Sequence, residues 1–404
     1  MSTERHRPVE TARPTERPDF LELVREREAG AVVDERADAI RAALSTATRG
    51  GLDVVWIQGQ SCTGCTVSLL QSEYPAIEGV LSEFREQSSF HTTLMSETGT
   101  DAMNAISTDP DVLVVEGAIP TEIPRAATLG TDERGKRKPV VDWVIELGER
   151  ADVVLAVGTC AAYGGLPAAG RHDSRRGEVG TDPTGARGLQ FDGEEPGGVF
   201  GPDFEAGSGL PVVNVPGCPA HPEHVLLTLA TILNGHEPDL DALHRPLPLF
   251  GPLVHDDCEL REQYEQGEFA DDPGDDGCLY EAGCAGVHAY CDDSVRLRNG
   301  GTAICRDVGA PCIGCVEPAF WDRFTPFYEK REDRGDAGLD EPSIMRSDDD
   351  APTWEMRAVS AVVACLCVLI AAPALPVAAA LSALSRWLGD GEPISWRDSD
   401  LTEA

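Results

Sequence analysis

Between residues 50 and 235 the chain repeats one pattern: a short apolar run, a turn rich in Gly, Cys or Pro, then a stretch with apolar positions at helical spacing. Valine-rich runs of this length predict strands buried on both faces, here over 54–57, 112–115, 153–157 and 212–215. Apolar positions three and four apart predict helices over 67–71, 101–106, 140–148 and 223–233. Strands alternating with helices predict an α/β fold built on an open parallel sheet. The Gly-, Pro- and Asp-rich stretch 170–208 predicts a long surface excursion.

Outside this block the pattern changes. Residues 1–48 form a polar arm with one helical stretch over 34–44, and the sheet domain covers 49–235. From 236 to 335 periodicity fades and cysteines take over, which predicts an irregular domain that folds around its metal. An acidic linker follows over 336–356, then an apolar segment over 357–388 and a tail over 389–404. Residues 358–385 carry no charge and lie between Arg357 and Arg386. A bilayer needs about 20 apolar residues, so this stretch predicts a C-terminal transmembrane helix. Pro373, Pro376 and the position at the end of the chain favour that reading over a buried soluble helix. Cys365 and Cys367 inside it read as small apolar residues.

Charge narrows the partners. The 404 residues carry 33 basic against 70 acidic side chains, a formal net charge of -37. Nucleic acid is excluded, because phosphate binding needs clustered Lys and Arg. Only three lysines occur, and acidic runs such as Asp348-Asp349-Asp350 are spread along the chain. This predicts a surface adapted to high salt, with an acidic face that docks a basic partner as the alternative. No secretory apolar segment and no twin-arginine motif opens the chain. Its 13 cysteines therefore predict reduced thiolates around metal, in a protein on the cytoplasmic face of the cell membrane.

The chemistry lies in where the cysteines fall. In open parallel sheets, functional loops gather beyond the carboxyl ends of the strands. Cys62-Thr63-Gly64-Cys65, Gly158-Thr159-Cys160 and Pro216-Gly217-Cys218-Pro219 each follow a predicted strand, so Cys62, Cys65, Cys160 and Cys218 can converge on one crest. A lone CxxC reads as a zinc knuckle or redox pair, but a redox pair needs neither Cys160 nor Cys218. The set predicts a 4Fe-4S cluster.

His255, Cys258, Cys278 and Cys284 form a second set, in which a neutral imidazole replacing a thiolate would raise the potential. Cys291, Cys305, Cys312 and Cys315 form a third, which also suits tetrahedral zinc. Glu116 ends a strand on the same crest, either bonding loop amides or transferring protons. His221 and His224 read as surface or capping residues.

Taken together, these motifs resemble the small subunit of nickel-iron (NiFe) hydrogenases over about residues 52–328. The most specific stretches are Cys62-Thr63-Gly64-Cys65, Val115-Glu116-Gly117-Ala118-Ile119-Pro120, Gly158-Thr159-Cys160 with Tyr163-Gly164-Gly165, Pro216-Gly217-Cys218-Pro219, Cys278-Leu279-Tyr280-Glu281-Ala282-Gly283-Cys284 and Pro311-Cys312-Ile313-Gly314-Cys315. The resemblance implies a flavodoxin-like first domain, a proximal 4Fe-4S cluster on the first set, a distal 4Fe-4S cluster on the His255 set and a medial cluster on the third. It implies a large subunit that holds the nickel-iron centre, no catalytic residue in this chain, and a membrane cytochrome b or other quinone-linked acceptor.

Three departures stand out. Cys305 occupies the position where the family's 3Fe-4S medial cluster has proline, which predicts a medial 4Fe-4S cluster of lower potential if Cys305 ligates and 3Fe-4S otherwise. The Cys284 to Cys291 loop is also shorter than the common pattern. Thr66-Val67 stands where many members carry a serine and an acidic residue, and no extra cysteine flanks Cys62 or Cys65. The export signal usual in membrane-bound members is missing. The competing functions are an iron-sulfur subunit of a related respiratory complex that does not use hydrogen, and a zinc-binding sensory or structural protein.

Overall fold

The computed structural model describes residues 42, 53–72, 88–132, 134–169, 182–298, 301–318, 320–324, 327–328 and 330. Its centre is a five-stranded parallel sheet: β1 Val54–Gln58, β2 Ser88–His91, β3 Val112–Glu116, β4 Val153–Val157 and β5 Val213–Val215. The order is β2-β1-β3-β4-β5, that of flavodoxin-like sheets, with the reversal of direction between β1 and β3. Gln58 pairs with Glu116, Glu116 with Val157 and Val157 with Val215. One row of residues therefore marks the carboxyl edge from which the ligand loops leave.

Both faces of the sheet are covered, as the valine-rich runs require. Every residue of β3, β4 and β5 is buried. On one face Val54, Trp56, Val114, Leu155 and Val215 pack against Leu226, Leu229 and Ala230 of a long helix, Pro222–Leu233. Burying each Leu or Val there contributes about 1.5–3 kcal/mol. That helix starts where Nδ1 of His221 accepts the backbone N–H of Glu223 at 3.0 Å, with Pro222 at its first position. Of the helices that precede it in the chain, three are labelled α1 Gly64–Leu69, α2 Val140–Gly148 and α3 Thr159–Tyr163, and Pro222–Leu233 is labelled α4.

The structure departs from the expectations in three places. Strand β2 was not predicted, because Phe90 is its only apolar residue and an edge strand pairs mainly through its backbone. The expected surface excursion is instead packed over its described part: Ala186, Leu189, Gln190 and Phe191 are buried, and the Gln190 side chain accepts the Val212 N–H at 2.8 Å. His221 and His224 are buried rather than on the surface, although His221 does cap α4.

Among the described residues, 236–330 form only short helices and turns. They share the sheet's core nevertheless, through Leu249, Phe250, Ala289, Cys291 and Val316. Arg245 ties this irregular part to itself. Its guanidinium donates to Asp241 at 2.7 Å and to Glu317 at 3.1 Å, and Glu317 also accepts the Tyr290 N–H at 2.8 Å.

Among the described residues no helix is long and apolar enough to cross a membrane. The apolar stretch 358–385 and, apart from Ala42, the stretch 34–44 lie outside the described residues.

Candidate metal centres

The first ligand set forms on the crest. Cys62 and Cys65 bracket the entry to α1, Cys160 sits in the first turn of α3, and Cys218 follows β5. Gly158 makes the close approach possible. Its φ is +87°, and a Cβ there would lie 2.5 Å from Sγ of Cys65. Gly165, at φ +51°, likewise leaves room for Sγ of Cys160, which a Cβ would meet at 2.9 Å.

Glu116 organises the loop. It is 1% exposed and accepts five hydrogen bonds: from the Cys65 N–H at 3.1 Å, Ser61 Oγ at 3.0 Å, Thr66 Oγ1 at 2.5 Å, Gln58 Nε2 at 3.1 Å and Trp56 Nε1 at 3.4 Å. The carboxylate beside the first set therefore comes from the end of β3, while Thr66 contributes a hydroxyl to it. Of the two readings of Glu116, these contacts describe the scaffold.

The third set surrounds Cys315, which lies within electrostatic reach of Cys291, Cys305 and Cys312. Cys291 is buried and Cys305 exposed. Backbone N–H groups point at the sulfurs, Asp293 to Cys291 and Gly314 to Cys312, each at 3.4 Å. In the second set, the Cys258 N–H donates to the carbonyl of His255 at 3.3 Å, and the His255 N–H donates to the carbonyl of Gly286, beside Cys284. Tyr264 packs edge-on between His255 and Tyr280, which stands between Cys278 and Cys284. Burial, with help from Arg261, lowers the His255 pKa and favours the neutral imidazole that can ligate.

The three sets touch in a fixed order. The backbone of Cys218 hydrogen-bonds the Cys315 thiol, and Thr159 Oγ1 donates to the Cys315 carbonyl at 2.5 Å while accepting the Gly217 N–H at 2.9 Å. The Ala285 N–H, beside Cys284, donates to the Cys312 carbonyl at 2.7 Å. The third set thus stands between the first and the second. Sequence reasoning missed Thr159, whose signal was its place directly before Cys160.

The donor chemistry fits iron-sulfur clusters. None of the eleven described cysteines is in a disulfide. Burial pushes Cys160 up to about 11, and at Cys218, whose surface stays open on one side, partial desolvation and the thiols of Cys160, Cys315 and Cys62 push it up to about 12. Burial likewise holds Cys65, Cys291 and Cys312 far above the usual thiol range. Buried thiolates at this spacing repel one another, so they coexist only around cations, and N–H groups aimed at sulfur tune such clusters.

A buried ion network supports the third set. Asp292 accepts His224 Nε2 at 2.6 Å and Arg296 Nη2 at 2.6 Å, and Arg296 also reaches Glu223 at 3.1 Å. Burial alone would raise the Asp292 pKa, but Arg296 and His224 outweigh it and hold the carboxyl at about 2. Although His224, Cys291, Asp292 and Asp293 stand close enough to hold an ion, the paired guanidiniums already balance these carboxylates.

Comparison with known proteins agrees with this layout. Residues 62–232 match the family model for the NADH ubiquinone oxidoreductase 20 Kd subunit, and residues 250–328 match that for the C-terminal region of the NiFe/NiFeSe hydrogenase small subunit. The periplasmic NiFeSe hydrogenase small subunit of Desulfomicrobium baculatum is 37% identical over 68% of this chain and 86% of its own. This chain belongs to the NiFe/NiFeSe hydrogenase small-subunit family. A second hydrogenase small subunit, from the F420 non-reducing hydrogenase II of Methanosarcina mazei, is 32% identical over 83% of this chain and 91% of its own. The solved structure of the Desulfomicrobium baculatum NiFeSe hydrogenase superposes with a TM-score of 0.59 at 35% identity, covering 69% of this chain and 99% of that one. Like its relatives, this hydrogenase small subunit is the electron-transfer component of a heteromeric enzyme, and the holoenzyme structures imply a large-subunit partner.

Proposed function

We propose that this small subunit takes electrons from hydrogen oxidation at the large subunit's nickel-iron site and delivers them to a membrane acceptor, a cytochrome b or another quinone-linked protein. The observation that carries this reading is the contact order of the ligand sets, Cys218 and Thr159 to Cys315, then Cys312 to Ala285 beside Cys284. When bound, iron-sulfur clusters supply the one-electron redox chemistry.

Cys62, Cys65, Cys160 and Cys218 would hold a proximal 4Fe-4S cluster. His255, Cys258, Cys278 and Cys284 would hold a distal one. Cys291, Cys305, Cys312 and Cys315 would hold a medial cluster, and the reach of Cys305 to Cys312 and Cys315 supports 4Fe-4S over 3Fe-4S. Exposed Cys62 and Cys218 lie on the crest with exposed Val67 and Leu166, apolar surface suited to docking the large subunit. The uncharged stretch 358–385 supports a membrane anchor, with the subunit on the cytoplasmic face, and the charge of -37 supports work in high salt.

Hydrogen-dependent viologen reduction by washed native membranes, from cells with and without this gene and at low and molar KCl, tests these points together. Activity should disappear with the gene and should be higher in molar KCl. Equal activity in both strains would sink the proposal, and activity confined to the soluble fraction would remove the membrane anchor.

A further inference from the structure

Between the first and third ligand sets stands a cation that neither set needs as a ligand, the guanidinium of Arg298. Its Nη1 donates to the carbonyl of Pro219, next to Cys218, at 3.1 Å. Its Nε donates to Oδ2 of Asp293 at 2.7 Å, and the Asp293 N–H in turn donates to Sγ of Cys291 at 3.4 Å. The Arg298 backbone opens the turn toward Cys305, donating to the Ala303 carbonyl at 2.9 Å and accepting the Thr302 N–H at 3.0 Å. One residue thus joins the segment after Cys218, the segment after Cys291 and the approach to Cys305.

The charge is permanent, since a guanidinium does not deprotonate in proteins. It lies within electrostatic reach of Cys218, Cys291 and Cys315. Arg296, two residues earlier, is taken up by Asp292 and Glu223. Arg298 has Asp293 as its carboxylate partner and keeps 21% of its side-chain surface in the isolated chain.

We propose that Arg298 is a positioning residue that raises the reduction potentials of the first and third ligand sets together, relative to the second. Adding an electron makes a thiolate-bound cluster one charge more negative, and a fixed cation nearby favours that state. Because the side chain spans both sets, it keeps entry and middle stations in step while the His255 set is tuned separately. The inference rests on the cluster assignment above.

The test is an EPR-monitored redox titration of the holoenzyme, purified with its large subunit. Arg298→Gln should shift the reduction equilibria of the first and third sets about tenfold toward oxidised, ~59 mV for a one-electron couple, and leave the second unchanged. Arg298→Lys, which keeps the charge, should stay near wild type. Asp293→Asn, which removes the counter-charge, should move the same two potentials upward. Unmoved first and third potentials in Arg298→Gln, or an equal shift in all three, would overturn the proposal. If Arg298→Gln fails to assemble, Asp293→Asn decides alone, and the absence of an upward shift would overturn it. Wild-type holoenzyme without cluster signals would overturn the underlying cluster assignment instead, and is recognised before any variant is made.

Discussion

Glu116 is a buried anion beside thiols that burial already makes hard to ionise, and it adds to that difficulty at Cys65 and Cys160. Its presence makes sense as a scaffold for the ligand loop, because five donors converge on its two oxygens. Glu116→Ala strands those donors and should cost about 3 kcal/mol of stability. The first set should lose its iron while the others keep theirs, read by thermal unfolding and Mössbauer spectra of the same preparation. A variant with wild-type melting and full iron would show that the loop holds itself. The residue type and strand-end position of Glu116 were readable in the sequence, as was its bonding to loop amides. The buried network around Asp292 was not, because Glu223 and Arg296 are far apart in the chain and each reads alone as a solvated charge.

At the scale of elements, the ligand loops depend on how strands end. Strand β4 turns into α3 within one residue, and only glycine suits both the positive φ of Gly158 and the sulfur of Cys65 against its α-carbon. Gly158→Ala should add about 1–2 kcal/mol of backbone strain and push Cys65 away. The expected result is a folded subunit whose first-set cluster signal is missing from EPR spectra while the other two persist. Retention of all three signals would mean the turn can shift without cost.

Strands β1, β3, β4 and β5 were readable because parallel strands buried on both faces are written as valine-rich runs. Helix 140–148 was predicted with its observed bounds, and α4 began one residue early because Pro222 is itself the first helical position. Strand β2 and the packed segment after residue 182 were not readable, since Ser88–His91 is mostly polar and the second is held by Gln190 and backbone bonds rather than by an apolar period.

For the whole molecule, the expected boundary near residue 235 separates two sequence styles but not two cores. Val316 and Cys291 pack with the sheet, and Asn214 of β5 donates its side-chain amide to the Leu243 carbonyl and its backbone N–H to the His244 carbonyl, each at 2.8 Å. The cysteine spacing suggested three sets and the family resemblance implied their order; the contacts of Thr159 with Cys315 and of Ala285 with Cys312 follow the same order.

The contrast in exposure between Cys291, at 4%, and the open Cys62 and Cys218 has a consequence for biosynthesis. A maturation factor can reach the crest thiols after the polypeptide has closed, but it can reach Cys291 only before. On the proposed assignment the middle centre should therefore be loaded early and the crest centre late, with large-subunit docking as the seal. A brief iron chelation of the unassembled subunit should strip the crest first, and the same treatment of the heterodimer should spare it. Iron lost from all three centres at one rate would remove this order. If that order is found, exposure at Cys62 and Cys218 acts as a timing signal, leaving one door open until the partner shuts it.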